Sequence, residues 1–584
     1  MKIDATLYQP LRAREIRLLR ILPTSDPNNP TEPIRCRLET FTLDTTPEYA
    51  ALSYEWGGPD PETYIVDTFV NSRKLQLKVN LVLALIHIRP YMKAVEFIWI
   101  DALCINQNDL AERGQQVLLM TEIYQRALGV YAWLGRGRDD MKSQLGMHLI
   151  KELDTKARNT PSLAVADIEY WVADKLLDPN YREHWDGLTG LLERSYWSRV
   201  WITQEISVGR DVVLFCGLDI SSLNRLRLIV NIIHRIDKRL VFNTAEAARQ
   251  VVGVAAPFLK IERTIGAWQR QDTDENNRGL LRLMANASMT QCGDPRDRVY
   301  ALLGIAVPYP GLKLDVDYSR SIADIYLDVA QYIIRGSRRL DILSFCRRKF
   351  NPQFTLPSWV PDWMTYSDDF HVVIPPNNQG SACGSREAIT SFPSDRTMLT
   401  ARAIILGDID RIVPFGEWRS IDGVQSLLRS LVDFAIDVLA SQPSGPSNSV
   451  ARAIPILYEV LFYNQLGIER THKGWALEKF PHAIYSFDME HNTNDDLYMI
   501  SMLRATLSPG RCLFSLPLDG KTTMGLCADH ARAGDKIAIV LGCRYPVVIH
   551  PTNGHYQVVG EALVHGYMGG DVVGKLPEVD ITLV

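Results

Sequence analysis

The residue best suited to chemistry in this sequence is Glu205, which ends the segment S-Y-W-S-R-V-W-I-T-Q-E that begins at Ser195. On a helix, Trp201 and Glu205 lie one turn apart on the same face. An indole in that position removes water from the carboxylate, which can then accept hydrogen bonds from hydroxyl groups or stabilise a developing positive charge. The alternatives are an ion pair with Arg199 or a cap on a neighbouring segment, because such contacts perturb carboxylates without any catalytic role.

A second group of polar residues follows the apolar run V-E-F-I-W-I at positions 95–100. Ligands of open α/β sheets bind at the carboxyl ends of strands, so Asp101 and Asn106 are candidates for the wall of a pocket. Alternatively, both side chains terminate the strand by bonding backbone amides. Cys104 has no base near it in the sequence, and we expect it to be a small buried residue and not a nucleophile.

A third group ends the apolar run that starts at Tyr49 and comprises Ser53, Tyr54, Trp56 and Gly57. The glycine pair that begins at Gly57 allows a ligand to approach the backbone closely, but it equally suits a tight turn. Trp56 is as well suited to core packing as to lining a pocket.

The elements that must position these residues follow from hydrophobic periodicity. Strands are predicted at Ala50–Tyr54, Phe97–Ile100 and Val130–Leu134, and their continuous apolar character is typical of adjacent parallel strands covered on both faces. Amphipathic helices are predicted from Asn80 to Arg89, with Asn80 as N-cap, and from Gln115 to Ala127. The alternation of strands and helices predicts an α/β N-terminal domain with a mainly parallel sheet.

The length of 584 residues exceeds what one hydrophobic core can organise. We predict an N-terminal domain at residues 1–220 with its core at 49–206, a mainly helical region at 221–345, and a smaller β-rich C-terminal region at 346–584. Short apolar runs predict a small antiparallel sheet or barrel in that last region, separate from the N-terminal sheet. The runs are Arg511–Ser515, Gly534–Leu541, Tyr545–Ile549 and His555–Gly560.

Composition excludes several classes of protein. The net charge of −5 argues against a general attraction to nucleic acid or to anionic membranes, and no run of about 18 apolar residues indicates a transmembrane span. The nine cysteines include no C-x-x-C pair, and the first twenty residues lack the apolar region of a signal peptide. We therefore expect a cytoplasmic protein without a metal site. The segment that ends in Gly520-Lys521-Thr522 lacks the first glycine of a phosphate-binding loop, and its Asp519-Gly520 predicts a hairpin.

Three segments resemble the motifs of the fungal heterokaryon incompatibility (HET) domain family, and they occur in the family's order. Y-A-A-L-S-Y-E-W-G, from Tyr49 to Gly57, is similar to the family's Y-x-A-L-S-Y-x-W-G. I-W-I-D-A-L-C-I-N-Q runs from Ile98 to Gln107, and Y-W-S-R-V-W-I-T-Q-E ends at Glu205. Segments that commonly accompany the domain follow at Asp294–Gly304, Leu356–Trp363 and Val564–Asp571.

The resemblance implies a role in non-self recognition between fungal individuals, which ends in programmed cell death when incompatible cells fuse. The HET domain also resembles TIR domains, some of which cleave NAD with a helix-borne glutamate, and the segment that ends at Glu205 is similar to their S-x-W-C-x-x-E-L helix. Glu205 is then the expected catalytic residue, and NAD is the candidate substrate, with no cofactor assigned. Residues expected to line the nucleotide site are Ser53, Tyr54, Trp56, Gly57, Asp101, Asn106 and Trp201.

Two other functions fit the same residues. The chain can be a non-enzymatic interaction or scaffold module that recognises a protein partner or associates with itself, or it can be an enzyme of fungal secondary metabolism. Fold alone does not separate them. The position of Glu205 distinguishes chemistry from structure: a solvent-reachable cleft shared with Ser53 and Asp101 favours chemistry, whereas burial against Arg199 favours a structural role.

Overall fold

The structure is a computed structural model that describes residues 7–23, 33–56, 65–93, 95–137, 142–159, 165–239, 251, 254–347, 355–364, 381–416, 421–440, 449–462, 480, 507, 510–518 and 520–584. Two compact units make up the chain: Met1–Val307 with Asp315–Arg320, and Pro308–Leu314 with Ser321–Val584. No helix within the described ranges has both the length and the apolar character that crossing a bilayer requires.

The first unit is built on a mixed sheet whose nine described strands lie in the order β5-β4-β2-β1-β6-β3-β7-β8-β9. The strands are β1 (Glu15–Ile21), β2 (Arg35–Thr42), β3 (Tyr49–Tyr54), β4 (Ile65–Val70), β5 (Arg73–Lys78), β6 (Phe97–Trp99), β7 (Val130–Trp133), β8 (Val212–Cys216) and β9 (Asp219–Ser222). The three strands predicted as neighbours are confirmed, since β3 pairs in parallel with both β6 and β7.

The prediction of a mainly parallel sheet is correct only for its centre. Strands β6, β3, β7 and β8 are parallel, but β1 runs antiparallel to β6 and β2, and β9 runs antiparallel to β8. The physical reason is burial. All six residues of β3 are buried, whereas β2 has one buried residue and β5 has two, a pattern that strands of an antiparallel pair tolerate because one face can meet solvent.

Helices accompany the sheet and continue beyond it along the chain. They are α1 (Val79–Ile88), α2 (Asp101–Cys104), α3 (Leu110–Arg126), α4 (Lys142–Asn159), α5 (Val165–Leu177), α6 (Arg182–Leu192), α7 (Val200–Val208), α8 (Leu223–Arg239), α9 (Ala256–Gln269), α10 (Glu275–Arg278), α11 (Leu280–Asn286) and α12 (Asp297–Leu303). Helices follow the sheet along the chain, as predicted, whereas the predicted helical region at 221–345 and its boundaries stay predictions.

Two helix starts differ from the prediction. Lys78, and not Asn80, precedes α1, because the Asn80 amide is used elsewhere: it donates to the Glu55 carbonyl and accepts from the Trp133 indole. Helix α3 begins at Leu110, five residues before the predicted start, because the Asp109 carboxylate caps the first turn by accepting two backbone N–H groups.

The segment that carries Glu205 is a short 3-10 turn, Ser195–Ser198, followed by α7. Arg199 between them is extended, and the Val200 amide donates to the Gln291 carbonyl, so the α-helix begins four residues later than Tyr196. Every residue of α7 except Trp201 is buried. A helix with no solvent face is held by packing on all sides, which fixes the direction of each of its polar side chains.

The second unit contains its own sheet, and its described strands do not pair with the N-terminal sheet, as predicted. Its elements are α13 (Ile322–Ser337), β10 (Thr390–Ser391), β11 (Leu399–Asp408), β12 (Arg411–Pro414), α14 (Ile421–Ala440), α15 (Ser449–Phe462), β13 (Arg511–Leu518), β14 (Lys521–Ala528), β15 (Lys536–Val540), β16 (Val547–Thr552), β17 (His555–Val564) and β18 (Val579–Leu583). With nine described strands it equals the first sheet, so the prediction of a small sheet is wrong.

Five strands of this second sheet close into a ring. Pairing runs from β11 through β15, β16 and β17 to β18, and β18 returns to β11, so the five strands form a ring. These pairs are antiparallel except for a single parallel pairing between β17 and β18. The predicted hairpin at Gly520 is confirmed, because Leu518 pairs with Lys521 across a glycine with φ of +73°.

Candidate functional site

Glu205 lies against the carboxyl end of β3. Its carboxylate accepts a short hydrogen bond from the Ser53 hydroxyl, and Ser53 shares a second hydrogen bond of 2.7 Å with the Tyr196 hydroxyl. All three residues are buried, with Ser53 at 0% and Glu205 at 1% exposure. Strand β3, the 3-10 turn and α7 thus bring a serine, a tyrosine and a glutamate into one polar group inside the domain.

Two further charged residues act on this group. The Arg199 guanidinium donates a hydrogen bond to the Tyr54 carbonyl and attracts Glu205 through space, whereas Asp101, the first residue of α2, repels it. Among the ion pairs of the described residues there is none between Arg199 and Glu205. The Arg199 charge therefore acts on Glu205 through space and not through a direct ion pair.

Burial raises the pKa of Glu205 to about 7, and the Arg199 charge only partly opposes that rise. Repulsion from Asp101 adds to the rise, and the hydrogen bond from Ser53 counteracts it. Burial likewise raises the pKa of Asp101 and, with the nearby Glu205 charge, that of the Tyr196 hydroxyl. A carboxyl group with a pKa near 7 changes its protonation within the physiological range and can accept or release a proton there.

Asp101 forms the more accessible side of the cluster. It is half-buried, and its carboxylate accepts a 2.8 Å hydrogen bond from the Trp56 indole and a 2.7 Å bond from the Ala102 amide. Trp56 is 36% exposed, so this pair stands between solvent and the carboxyl ends of β3 and β6. Tyr54, the last residue of β3, is buried, and both Asp101 and Glu205 raise the pKa of its hydroxyl.

The remaining candidates lie elsewhere or outside the described residues. The Asn106 side chain accepts from the Asn108 amide at 3.3 Å, which is a turn contact. The Trp201 indole lies at the Asp297 carboxyl group instead: burial raises the pKa of Asp297, and the indole opposes that rise. Gly57 lies outside the described residues.

Cys104 has the properties of the structural residue that the sequence predicts. It is completely buried, its sulfur accepts from the Ile100 amide at 3.3 Å, and burial raises the pKa of its thiol to about 12. A thiol of that pKa is protonated at neutral pH and is a poor nucleophile.

Sequence reasoning missed two hydroxyls that complete the site. Tyr196 contacts Ser53 directly, and Tyr124 of α3 donates to the Leu52 carbonyl, close enough for the Glu205 charge to raise the pKa of its hydroxyl. Tyr196 stands beside a predicted helix, where its direction could not be inferred. No group of three or more potential metal ligands occurs in the part of the chain that the structure describes.

The family model for the heterokaryon incompatibility protein (HET) domain matches residues 49–205 of this chain. This part of the chain is thus similar to the HET domain. The match begins at the first residue of β3 and ends at Glu205, so the HET domain contains every element that brings Ser53, Asp101, Arg199 and Glu205 together.

One full-length relative extends the similarity beyond the HET domain. The heterokaryon incompatibility protein 6, OR allele, of Neurospora crassa is 25% identical over 674 aligned positions, which cover 97% of this chain and 96% of that protein. No solved structure matches the chain. The similarity thus includes the second unit as well as the HET domain.

Proposed function

We propose that this protein acts in fungal non-self recognition and promotes cell death, and that its HET domain does so by cleaving NAD at Glu205. The observation that carries the proposal is the environment of Glu205. It is a buried carboxyl group whose pKa is raised to about 7, held by Ser53 at the carboxyl ends of β3 and β6. Ligands of open α/β sheets bind at these strand ends.

The proposed reaction requires the ionised form of Glu205. The bond between the nicotinamide nitrogen and the ribose carbon breaks, and its electron pair stays on nicotinamide. The carboxylate stabilises the positive charge that develops on the ribose, as carboxylates do in glycoside hydrolysis. Water then adds to the ribose carbon, and its proton passes to Glu205 and on to solvent. The products are nicotinamide and ADP-ribose.

Ser53 and Arg199 are positioning residues in this proposal. Ser53 orients the Glu205 carboxylate by a hydrogen bond, and the Arg199 charge favours its ionised form. Asp101 and Trp56 lie at the solvent side, where an incoming ribose meets a carboxylate and an indole. The protein is proposed to act in the cytoplasm and to be triggered by a protein partner or by a second copy of the chain.

A second function is favoured by one observation, the 1% exposure of Glu205. A carboxyl group so enclosed is also what a purely structural polar cluster contains, and such a cluster would hold the HET domain in one conformation for binding a partner. In that case recognition is non-enzymatic, and the C-terminal unit or the HET surface carries the interaction.

The test is expression of the full chain in a fungal host, with viability and cellular NAD measured together and nicotinamide release measured on the purified protein. Three proteins are compared at equal abundance: wild type, Glu205→Gln, and the control Glu193→Gln, which changes an exposed glutamate just after α6. We expect wild type and Glu193→Gln to lower both NAD and viability, and Glu205→Gln to lower neither.

The outcomes separate the two functions. Loss of viability without loss of NAD would show that the chain promotes death by interaction and not by hydrolysis. Undiminished toxicity of Glu205→Gln would remove Glu205 from the active residues. If wild type lowers neither NAD nor viability, the role in cell death is wrong.

A further inference from the structure

A pocket in the first unit lies where several helices end, and Glu205 does not line it. It is lined by the carboxyl-terminal parts of α3 and α7 and by the turn from α9 to α10, and it encloses about 420 Å³. That volume is within the usual range for sites that hold small molecules. The cavity is large enough to be treated as a binding site in its own right.

A buried hydroxyl without a hydrogen-bond partner lines this pocket. Ser207, in the last turn of α7, lines the cavity, is 1% exposed, and its Oγ has no hydrogen-bond partner. Leaving a buried hydroxyl unpaired costs free energy, and proteins seldom accept that cost without a ligand or water to complete the bond. The Ser207 hydroxyl can therefore form a hydrogen bond with a molecule inside the pocket.

The positive charges of the pocket point to an anion. Arg210 and Arg278 both line it, and no aspartate or glutamate is among its described lining residues. Arg210 is exposed and has no hydrogen bond or ion pair within the described residues. Arg278 donates to the Ile305 and Asp272 carbonyls, so its charge has no carboxylate in direct contact. An incoming phosphate or carboxylate would be the counter-charge for Arg210 first.

The same pocket offers a flat surface and hydrogen-bond acceptors. Trp268 lines the pocket, and the Arg278 guanidinium lies over one face of its indole at 4.6 Å from the ring centre. Val208 ends α7, and carbonyls in the last turn of a helix lack intrahelical donors and carry partial negative charge. The side-chain amides of Gln125 and Gln271 add donors and acceptors.

We propose that this pocket binds a small nucleotide: its phosphate contacts Arg210, its base packs against Trp268, and its amino group donates to carbonyls in the last turn of α7. A simple anion would make no contact with the Trp268 indole, and a neutral base would leave the Arg210 charge without a counter-charge. Mixed acceptors and cations in one cavity match a base that carries N–H donors and a phosphate. The site is independent of the reaction at Glu205.

Calorimetric titration of the full chain with AMP tests the proposal, with adenosine and inorganic phosphate as the two halves of the ligand. AMP should bind at one site per chain and at least tenfold more tightly than either half. Arg210→Gln and Trp268→Leu should each weaken AMP binding by about tenfold, the size of effect expected for one charge contact or one stacked base. Glu205→Gln should bind AMP as wild type does.

Two further variants exclude trivial explanations. Arg270→Gln removes the same charge from an exposed position next to α9 that does not line the pocket, and it should leave AMP binding unchanged. Ser207→Ala should weaken binding while it leaves unchanged or raises the melting temperature, because it removes an unsatisfied hydroxyl. The absence of saturable AMP binding at millimolar concentration would overturn the proposal, as would an equal loss of affinity in Arg210→Gln and Arg270→Gln. Equal affinity for AMP and phosphate would exclude the role of the base.

Discussion

Two buried glutamates of the first unit show opposite ways of placing a carboxylate in a protein interior. Glu112 of α3 forms an ion pair with Arg17 of β1, with two hydrogen bonds of 2.6 and 3.0 Å, and also accepts from the Asn106 amide at 2.7 Å. Glu205 of α7 accepts its hydrogen bond from the Ser53 hydroxyl, and it interacts with Arg199 only through space. Both side chains are almost completely enclosed.

The difference separates structural from functional burial. A carboxylate held by a two-pronged arginine and a backbone amide has its charge compensated in place, and removing either partner leaves the other charge stranded. A carboxylate whose main partner is neutral carries the cost of desolvation in its own pKa, which rises to about 7 for Glu205. Burial of a carboxylate therefore does not by itself identify a functional site. A buried carboxylate whose charge is not neutralised by a direct partner does.

The largest effect is expected from Glu112→Gln. The change leaves the Arg17 guanidinium, which is 2% exposed, without its counter-charge, and should lower the free energy of unfolding by about 3–5 kcal/mol. Thermal and urea unfolding of the purified full chain, followed by tryptophan fluorescence, measures it. In a double-mutant cycle, Arg17→Gln combined with Glu112→Gln should cost clearly less than the sum of the single changes. Additive losses would contradict the pairing and make Glu112 no different from Glu205.

Glu205→Gln should have the opposite effect on stability. The folded-state pKa of Glu205 is raised from its ordinary value of 4.5 to about 7, so the folded protein binds this proton more tightly than the unfolded chain. The stability that results is fully present below pH 4.5 and is lost as pH rises through 7. Glutamine never ionises and avoids that loss, which amounts to about 3 kcal/mol at roughly 1.4 kcal/mol per pH unit.

We therefore expect Glu205→Gln to have the same melting temperature as wild type near pH 4 and a higher one at pH 8. Glu193→Gln, the exposed control, should follow wild type at both values. A Glu205→Gln protein that is less stable than wild type at pH 8 would mean that the ionised carboxylate is a structural partner of Arg199. The comparison with Glu112 would then fail.

Ser53→Ala should have a smaller effect on stability and a distinct effect on titration. It removes the donor to Glu205 and the partner of Tyr196, at a cost of about 1–3 kcal/mol. Because the Ser53 hydrogen bond lowers the pKa of Glu205, its loss should move the midpoint of any Glu205-dependent pH profile above 7. Ser198→Ala, which removes only a local hydroxyl bond to the Ser195 carbonyl, is the control. An unchanged midpoint would show that Ser53 does not tune Glu205.

The core of the first unit could be predicted from sequence because its signal is local. Tyr49 to Tyr54 is continuously apolar except for one serine, and such runs occur in parallel strands covered on both faces. The antiparallel pairing of β1 with β6 was missed because it joins Leu19 to Ile98, far away in the chain. Asn80 was wrongly predicted as an N-cap, since nothing nearby reveals that its amide bridges Glu55 and Trp133.

The candidate site also contains residues that the sequence identifies and contacts that it does not. Glu205, Ser53 and Asp101 could be singled out because each follows or faces a recognisable strand or helix. The Arg17–Glu112 pair could not, because 95 residues separate its members. The Trp201 indole, predicted as the shield of Glu205, interacts with the Asp297 carboxylate, a partner 96 residues away that the local sequence does not reveal.

The smallest effect is expected from Glu122→Gln, which repeats the Glu112 arrangement at the surface. Glu122 accepts from Arg14 at 2.9 Å and pairs with Arg126 at 2.7 Å, but its side chain is 31% exposed and those of both arginines about 40% exposed. Hydrogen bonding to Arg14 lowers the pKa of Glu122, so its contribution is present at neutral pH and is lost as pH falls through the lowered pKa. Solvent already screens these charges, so Glu122→Gln should cost no more than about 1 kcal/mol at neutral pH, and less at high salt. The measurement is the unfolding assay used for Glu112→Gln, repeated at low and high salt. A loss as large as that of Glu112→Gln, or one that salt does not reduce, would show that burial is not what distinguishes the two arginine-bound glutamates.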